Sequence, residues 1–400
     1  MYTAAHGIVT GIVKDGPELQ ELEVIIEGRP GPDKAINYPG LYRRVEAGEK
    51  VLLNTVAIDL GLGTGGRHFV IPEGEQAPAR PASAKTGHIM KLRYTPWQFP
   101  VLSVEEEASP CHQQMKDANS LRGVPVVIAP LHSMLPGIIL GFRKSYGLRR
   151  PERAPKIAYV MTDGAALPLA LSELVRELRQ KQLLDLTITT GHAFGGDLEA
   201  VSIPAALLAG ANASLPPLDS PPVDPARKER SIDLIIVALG PGIVGTGTPF
   251  GFSGIEQAWI IDLTARLGGI PIVAPRISEA DPRERHLGIS HHTLTILNLA
   301  NHPAYLGISR LIGPETQARI AAKLAANSQL LARHHWFLVS DFPAGPAFAA
   351  YGLQVKTMGR GPAQDPAFFQ SAIAAGVLAD LAQADQLGQL GKYKIEETKP

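Results

Sequence analysis

The feature that most constrains this chain is a series of short, unbroken apolar runs, each closed by a glycine, histidine, aspartate or proline loop: 124–129, 156–161, 186–190, 232–239, 270–274 and 336–340. Helical periodicity fills the stretches 168–182, 199–211, 255–267, 291–300 and 316–331, and a last helix is expected over 366–384. Apolar strands that do not alternate are buried on both faces. Interleaved with helices, they predict an α/β fold, a mainly parallel sheet with helices on both sides. Ligands bind such sheets beyond the carboxyl ends of the strands, so the loops after the apolar runs are where function is expected.

Four hundred residues exceed one ordinary domain. Residues 1–72 carry short alternating strands with turn residues between them and are expected to form a small all-β domain, barrel- or sandwich-like. The Pro/Ala-rich stretch 73–87 reads as a linker, 88–384 as the α/β domain, 215–230 as a Pro-rich insert and 385–400 as a flexible tail. Lysine plus arginine and aspartate plus glutamate both number 38, which gives no nucleic-acid footprint and no membrane-surface patch. Every apolar run is broken well short of the ~18 residues needed to span a bilayer. The one cysteine, Cys111, cannot close an internal disulfide and fits a reducing, cytoplasmic setting. It lies near the acidic run 105–107, where carboxylates hold a thiol protonated, so no nucleophilic role is expected.

The strand 232–239 runs into a loop, 240–254, with six glycines in fifteen positions. Exposed N–H groups in such a loop make an anion cradle, here at Gly240, Gly242, Gly245, Thr246, Gly247 and Thr248. Gly240, Gly242 and Gly245 match the dinucleotide fingerprint, but Gly247, Pro249 and Gly251 prevent the helix that must run straight through it. Asp262 falls about 20 residues on but inside a helical stretch, where no ribose is met. NAD(P) is therefore not expected. No lysine follows the glycines, so the loop is no Walker motif either.

Other strand-end loops carry the titratable groups. Asp163 stands just past one strand and suits a general base, a metal ligand or a turn cap. The segment 191–197 holds His192, the first choice for acid–base work, and Asp197, a metal candidate or helix N-cap. Ser290 is expected to cap a helix with His291 and His292 in its first turn, where the dipole favours neutral imidazole. Adjacent helical residues point about 100° apart, so the two are not expected to share one metal. A divalent metal is open, with Asp163, His192 and Asp197 as candidate ligands. Arg276 and Arg285 suit forked bonds to a phosphate or carboxylate, or salt bridges to Glu279, Asp281 and Glu284. His132 and Ser133 form a weaker polar loop, and the glycine turn 61–66 reads as a lid or a hairpin.

The motifs Leu53-Asn54-Thr55, Gly61-Leu62-Gly63-Thr64-Gly65-Gly66, Lys91-Leu92-Arg93-Tyr94-Thr95-Pro96, Met161-Thr162-Asp163-Gly164, Gly191-His192-Ala193-Phe194-Gly195-Gly196-Asp197 and Gly288-Ile289-Ser290-His291-His292-Thr293 are specific in combination. On them the chain resembles an uncharacterised bacterial family, domain of unknown function 3866, from the first strands to about residue 370. The resemblance implies a soluble bacterial protein and brings no reaction or catalytic residue. The residues themselves point to an enzyme of group transfer or hydrolysis on a small anionic, for instance phosphorylated, metabolite, with His192, His292 and Asp163 reacting. A ligand-binding or regulatory protein for a nucleotide-like molecule is the alternative, and self-association stays open.

Overall fold

A computed structural model describes residues 4–61, 66–71, 87–95, 97–212 and 232–393. The insert 215–230 and most of the linker 73–87 and of the glycine turn 61–66 lie outside them. The chain forms two units, Met1–Thr86 with Leu92–Phe99, and Gly87–Lys91 with Pro100–Pro400.

In the first unit, β1 (Ala4–Asp15), β2 (Gln20–Ile26), β3 (Pro32–Asn37), β4 (Lys50–Asn54) and β5 (Arg67–Ile71) close a barrel in the order β1-β2-β3-β5-β4. Alternation drives it: Leu22, Val24 and Ile26 of β2 point inward onto Val9, Val51 and Leu53. Closure leaves no edge strand to pair with another chain.

In the second unit, β6 (Pro125–Ala129), β7 (Ile157–Thr162), β8 (Leu186–Thr190), β9 (Leu198–Ala200), β10 (Leu234–Leu239), β11 (Ile270–Val273), β12 (Tyr305–Ser309), β13 (His335–Val339) and β14 (Gly391–Lys392) form one mixed sheet in the order β9-β8-β7-β10-β6-β11-β12-β13-β14. All its pairings are parallel except β13 with β14. Helices cover both faces. Helices α1 (Leu135–Arg149), α2 (Glu173–Gln180) and α7 (Pro366–Gln383) bury one apolar cluster. Helices α3 (Ile203–Ala211), α4 (Gln257–Arg266), α5 (His291–Leu299) and α6 (Pro314–Ala325) bury the other. Among the described residues no helix is long and apolar enough to cross a membrane.

Several elements differ from expectation for identifiable reasons. Helix α1 was hidden because Pro136, Gly137, Gly141 and Gly147 read as breakers. The glycines instead let α7 approach: a Cβ on Gly141 would lie 2.2 Å from the Ile373 carbonyl oxygen, and one on Gly376 2.1 Å from that of Ile138. Gly307 likewise masked β12, where it lies against Val339. Residues 198–200 pair with β8 instead of opening a helix, and Ser202, accepting from the Ala205 N–H, caps α3. Asp197 is therefore no helix cap. The periodic stretch 316–331 is two helices, broken between Ala325 and Ser328. The expected tail is anchored as far as residue 393, through β14 and the Tyr393 N–H on the Trp336 carbonyl at 3.0 Å.

Candidate functional site

The sheet order defines a crevice. From β6 the chain leaves through α1 on one face, while from the adjacent β10 it leaves through α4 on the other. The loops part above these two strands, which is the switch point where open sheets bind ligands. A cavity of about 400 Å³ lies there, lined among others by His132, Ser133, Gly240, Gly242, Ile243 and Met358.

His132 is one wall of this crevice, and both its nitrogens are engaged. Nδ1 lies 3.0 Å from the Tyr159 hydroxyl and Nε2 2.6 Å from Ser172 Oγ. The Tyr159 hydroxyl donates to the Leu239 carbonyl, and burial pushes its phenol well above the usual range. It therefore accepts from His132 Nδ1–H, and Ser172 Oγ–H donates to Nε2. Burial holds the His132 imidazole down to about 4, so the ring is a neutral, satisfied member of the wall. Its pKa is lower folded than the ~6.5 of an unfolded chain, so the stability it contributes is complete above pH ~6.5 and is lost as pH falls toward 4. In urea unfolding at stepped pH, His132→Phe should flatten this acid loss by up to one proton; an unchanged slope would contradict the assignment.

The glycine loop divides in two. Gly240 and Gly242 line the crevice, whereas Gly245 to Phe252 fold back as a small hairpin, with the Thr246 N–H on the Gly251 carbonyl at 2.7 Å and the Ser253 N–H on that of Val244 at 3.0 Å. The hydroxyls of Thr246 and Thr248, expected to meet a ligand, bond each other at 2.9 Å and secure Gly251. A side chain at Gly251 would displace these hydroxyls: a Cβ there would lie 2.1 Å from Thr246 Oγ1. The loop is no packed crossing, since Phe250 is 64% exposed while Phe252 alone is buried. A 3-10 turn, Ser253–Glu256, precedes α4, so no helix continues through Gly245.

On one flank of the loop, at the end of β7, Asp163 Oδ2 accepts from the His192 backbone N–H at 2.8 Å. Gly191 is required for this: its φ is +60°, and a Cβ would lie 2.2 Å from that carboxylate. The loop is fixed from below by Lys91, fully buried, whose Nζ donates to the carbonyls of Gly191 at 2.8 Å and Ala193 at 2.7 Å and meets Glu199 at 3.0 Å. Burial raises the Glu199 carboxyl and the ammonium of Lys91 opposes the rise. Glu256, bonded by Thr162, stands near Asp163; burial raises it and the Asp163 charge adds to that. Asp197 accepts from the Thr187 N–H and hydroxyl and pairs with Arg179.

On the other flank stand three histidines and three arginines. Ser290 caps α5 as expected, and His291 and His292 extend from its first turn toward His286. Phe252 stacks flat on His292, with centroids 3.9 Å apart and planes 5° off parallel. Burial lowers all three imidazoles, His286 and His292 to about 3, and nearby arginines lower them further. Arg276 is not an open anion clamp. It is buried and bound to Asp281 at 2.9 Å, and Arg283 forks onto the same carboxylate with two bonds of 2.9 Å. Arg285 has no acidic partner among the described residues, is exposed, and lies beside the loop: a Cβ on Gly247 would be 3.8 Å from its guanidinium carbon.

Fold and site together define a two-unit chain: a small closed barrel and an α/β sheet with glycine-, histidine- and arginine-bearing loops at its switch point. A family model described as protein of unknown function, DUF3866, matches residues 34–376, and the chain belongs to that family. No curated protein and no solved structure matches the chain.

Lys91, Glu199, Glu256 and His286 were not singled out from the sequence. Lys91 carried one signal, a lysine in a specific motif beside an apolar stretch. His286 carried another, since it stands four residues before the cap Ser290.

Proposed function

We propose that the chain is an enzyme of group transfer or hydrolysis acting on a small anionic metabolite, with phosphorylated metabolites foremost. The observation that carries this reading is the placement of the exposed Arg285 guanidinium beside Gly247, on a turn that leaves the carboxyl end of the sheet. Arg285 supplies the positive charge and forked donors that an anion needs, and Phe250, exposed at the same turn, offers an apolar contact. His292 lies next to Gly245, where burial holds its imidazole down to about 3; that suits a neutral hydrogen-bond donor or metal ligand and leaves proton transfer mainly to His192. His192, whose backbone is held by Asp163, is the group proposed for that transfer. Redox chemistry on a dinucleotide is disfavoured because the loop turns back before any helix begins. A reducing, cytoplasmic setting is part of the proposal and rests on Cys111, which is buried.

Calorimetric titration with inorganic phosphate, pyrophosphate and a set of phosphorylated sugars and nucleotides tests it. A charge-assisted bond lost in Arg285→Ala should weaken the best ligand by about 1.5–3 kcal/mol, or roughly 10- to 150-fold. Absence of binding by any of these compounds, or identical affinity in the variant, sinks the reading. Normal binding in His192→Ala and His292→Ala, with no turnover by the parent protein, would make it a binding module instead.

A further inference from the structure

We infer that His286, His291 and His292 form a binding site for one divalent transition metal, zinc foremost. One nitrogen from each ring lies within 4.8 Å of the others. The ring centroids are 5.0, 5.0 and 4.3 Å apart. A metal held at ~2.0–2.1 Å by three imidazole nitrogens in tetrahedral array sets centroids about 5.2 Å apart, so the rings need only small rotations to close on an ion. This proposal departs from the expectation that two neighbours on a helix would not share one metal, for a simple reason. Their Cα–Cβ directions diverge, but the ring nitrogens lie well beyond Cβ and side-chain rotation brings them back together, with His286 supplied from outside the helix.

A second observation points to a ligand. Nε2 of His291 and Nδ1 of His292 are buried with no hydrogen-bond partner, and His292 is only 6% exposed. A buried polar atom left unpaired is costly, and two in one cluster ask for a shared partner. The surroundings are arranged as around a metal. His286 Nδ1 lies 2.7 Å from Ser290 Oγ, which fixes that ring and leaves Nε2 to coordinate. Phe252 clamps the His292 face while its nitrogens stay at the ring edge. The imidazoles are neutral, as coordination requires. Arg276 and Arg283 share the one carboxylate of Asp281, so that group keeps a net positive charge, and with Arg285 and Lys323 it opposes a cation; an anionic group on the open metal position would offset it. Three imidazoles select zinc and its neighbours over magnesium or calcium, which prefer oxygen. Three protein ligands also leave one position for a non-protein group, the arrangement of catalytic zinc.

The site stands whether or not the anion reading does, and the test separates them. The full-length protein, dialysed against chelator, is titrated with Zn²⁺ in competition with a chromophoric chelator and with Co²⁺ followed by its visible absorption. One equivalent should bind, and absorption fine structure of the zinc form should show three nitrogens at ~2.0–2.1 Å. His286→Gln, His291→Gln and His292→Gln should each weaken binding by more than the roughly 10- to 100-fold that Ser290→Ala, the supporting bond, costs. No binding by the folded parent protein overturns the site, as does binding that all three substitutions leave unchanged. Should a variant fail to fold, the ligand count from the parent's zinc form decides alone. Phosphate titration of the chelated protein, run in parallel, reads the anion proposal without the metal.

Discussion

Lys91→Met should destabilise the protein by about 3–5 kcal/mol, because it leaves a buried carboxylate without its counter-charge. The Lys91 side chain is fully buried, and its partner Glu199 is 8% exposed. Glu199 keeps only the Thr189 hydroxyl at 2.7 Å and the Gly195 N–H at 2.7 Å once the ammonium is gone. The carbonyls of Gly191 and Ala193 lose their shared donor at the same time, so the loop bearing His192 loosens together with the core beneath it. Lys91→Met with Glu199→Gln removes both charges and should recover much of the loss, since neutral partners of similar size are often tolerated. Urea unfolding followed by circular dichroism gives both values. A double variant as unstable as the sum of the singles would show that the pair does not act as a unit.

The second large effect is expected at the contact of α1 and α7. In Gly376→Val the first added carbon already lies 2.1 Å from the Ile138 carbonyl oxygen and 2.7 Å from the Phe142 nitrogen. Both neighbours are backbone, so no rotamer relieves the overlap and the helices must separate. Overpacking of a well-packed core costs about 1–3 kcal/mol, and this case belongs at or beyond the upper end. Gly345→Ala is the control, since a Cβ there meets open space, and no loss is expected. A thermal midpoint for Gly376→Val equal to that of the control would refute the close-contact account.

These two positions also show where sequence reading succeeds and where it stops. Six of the nine strands of the central sheet were legible because burial on both faces demands continuous apolar runs, and the candidate site was sought by the rule that loops gather at the carboxyl ends. Composition misleads when one residue type serves opposite ends. Glycine ends a helix in solution, yet in α1 it is what permits the helix to touch its neighbour. Partnership is illegible for a related reason. Arg276 and Arg285 look alike in sequence, but the chain folds Asp281 onto the first and leaves the second open. His132 read as a weak catalytic candidate because nothing local shows that Tyr159 and Ser172, from other elements, saturate it. Lys91 is about a hundred residues from the carbonyls it holds.

The crevice wall and the turn beside it have unequal freedom. On one side His132 is tied to β7 and to the first residue before α2, and Ser133 Oγ donates to Thr357 Oγ1 at 3.1 Å. Beyond the crevice, where the glycine loop folds back, residues 244–250 are exposed and held mainly by bonds within their own turn. On the proposed anion reading, the entropy lost when the ligand settles falls on that single stretch. Its stiffness becomes a dial for affinity that leaves every reacting group untouched: a tighter turn lowers the ordering cost, and a looser one raises it.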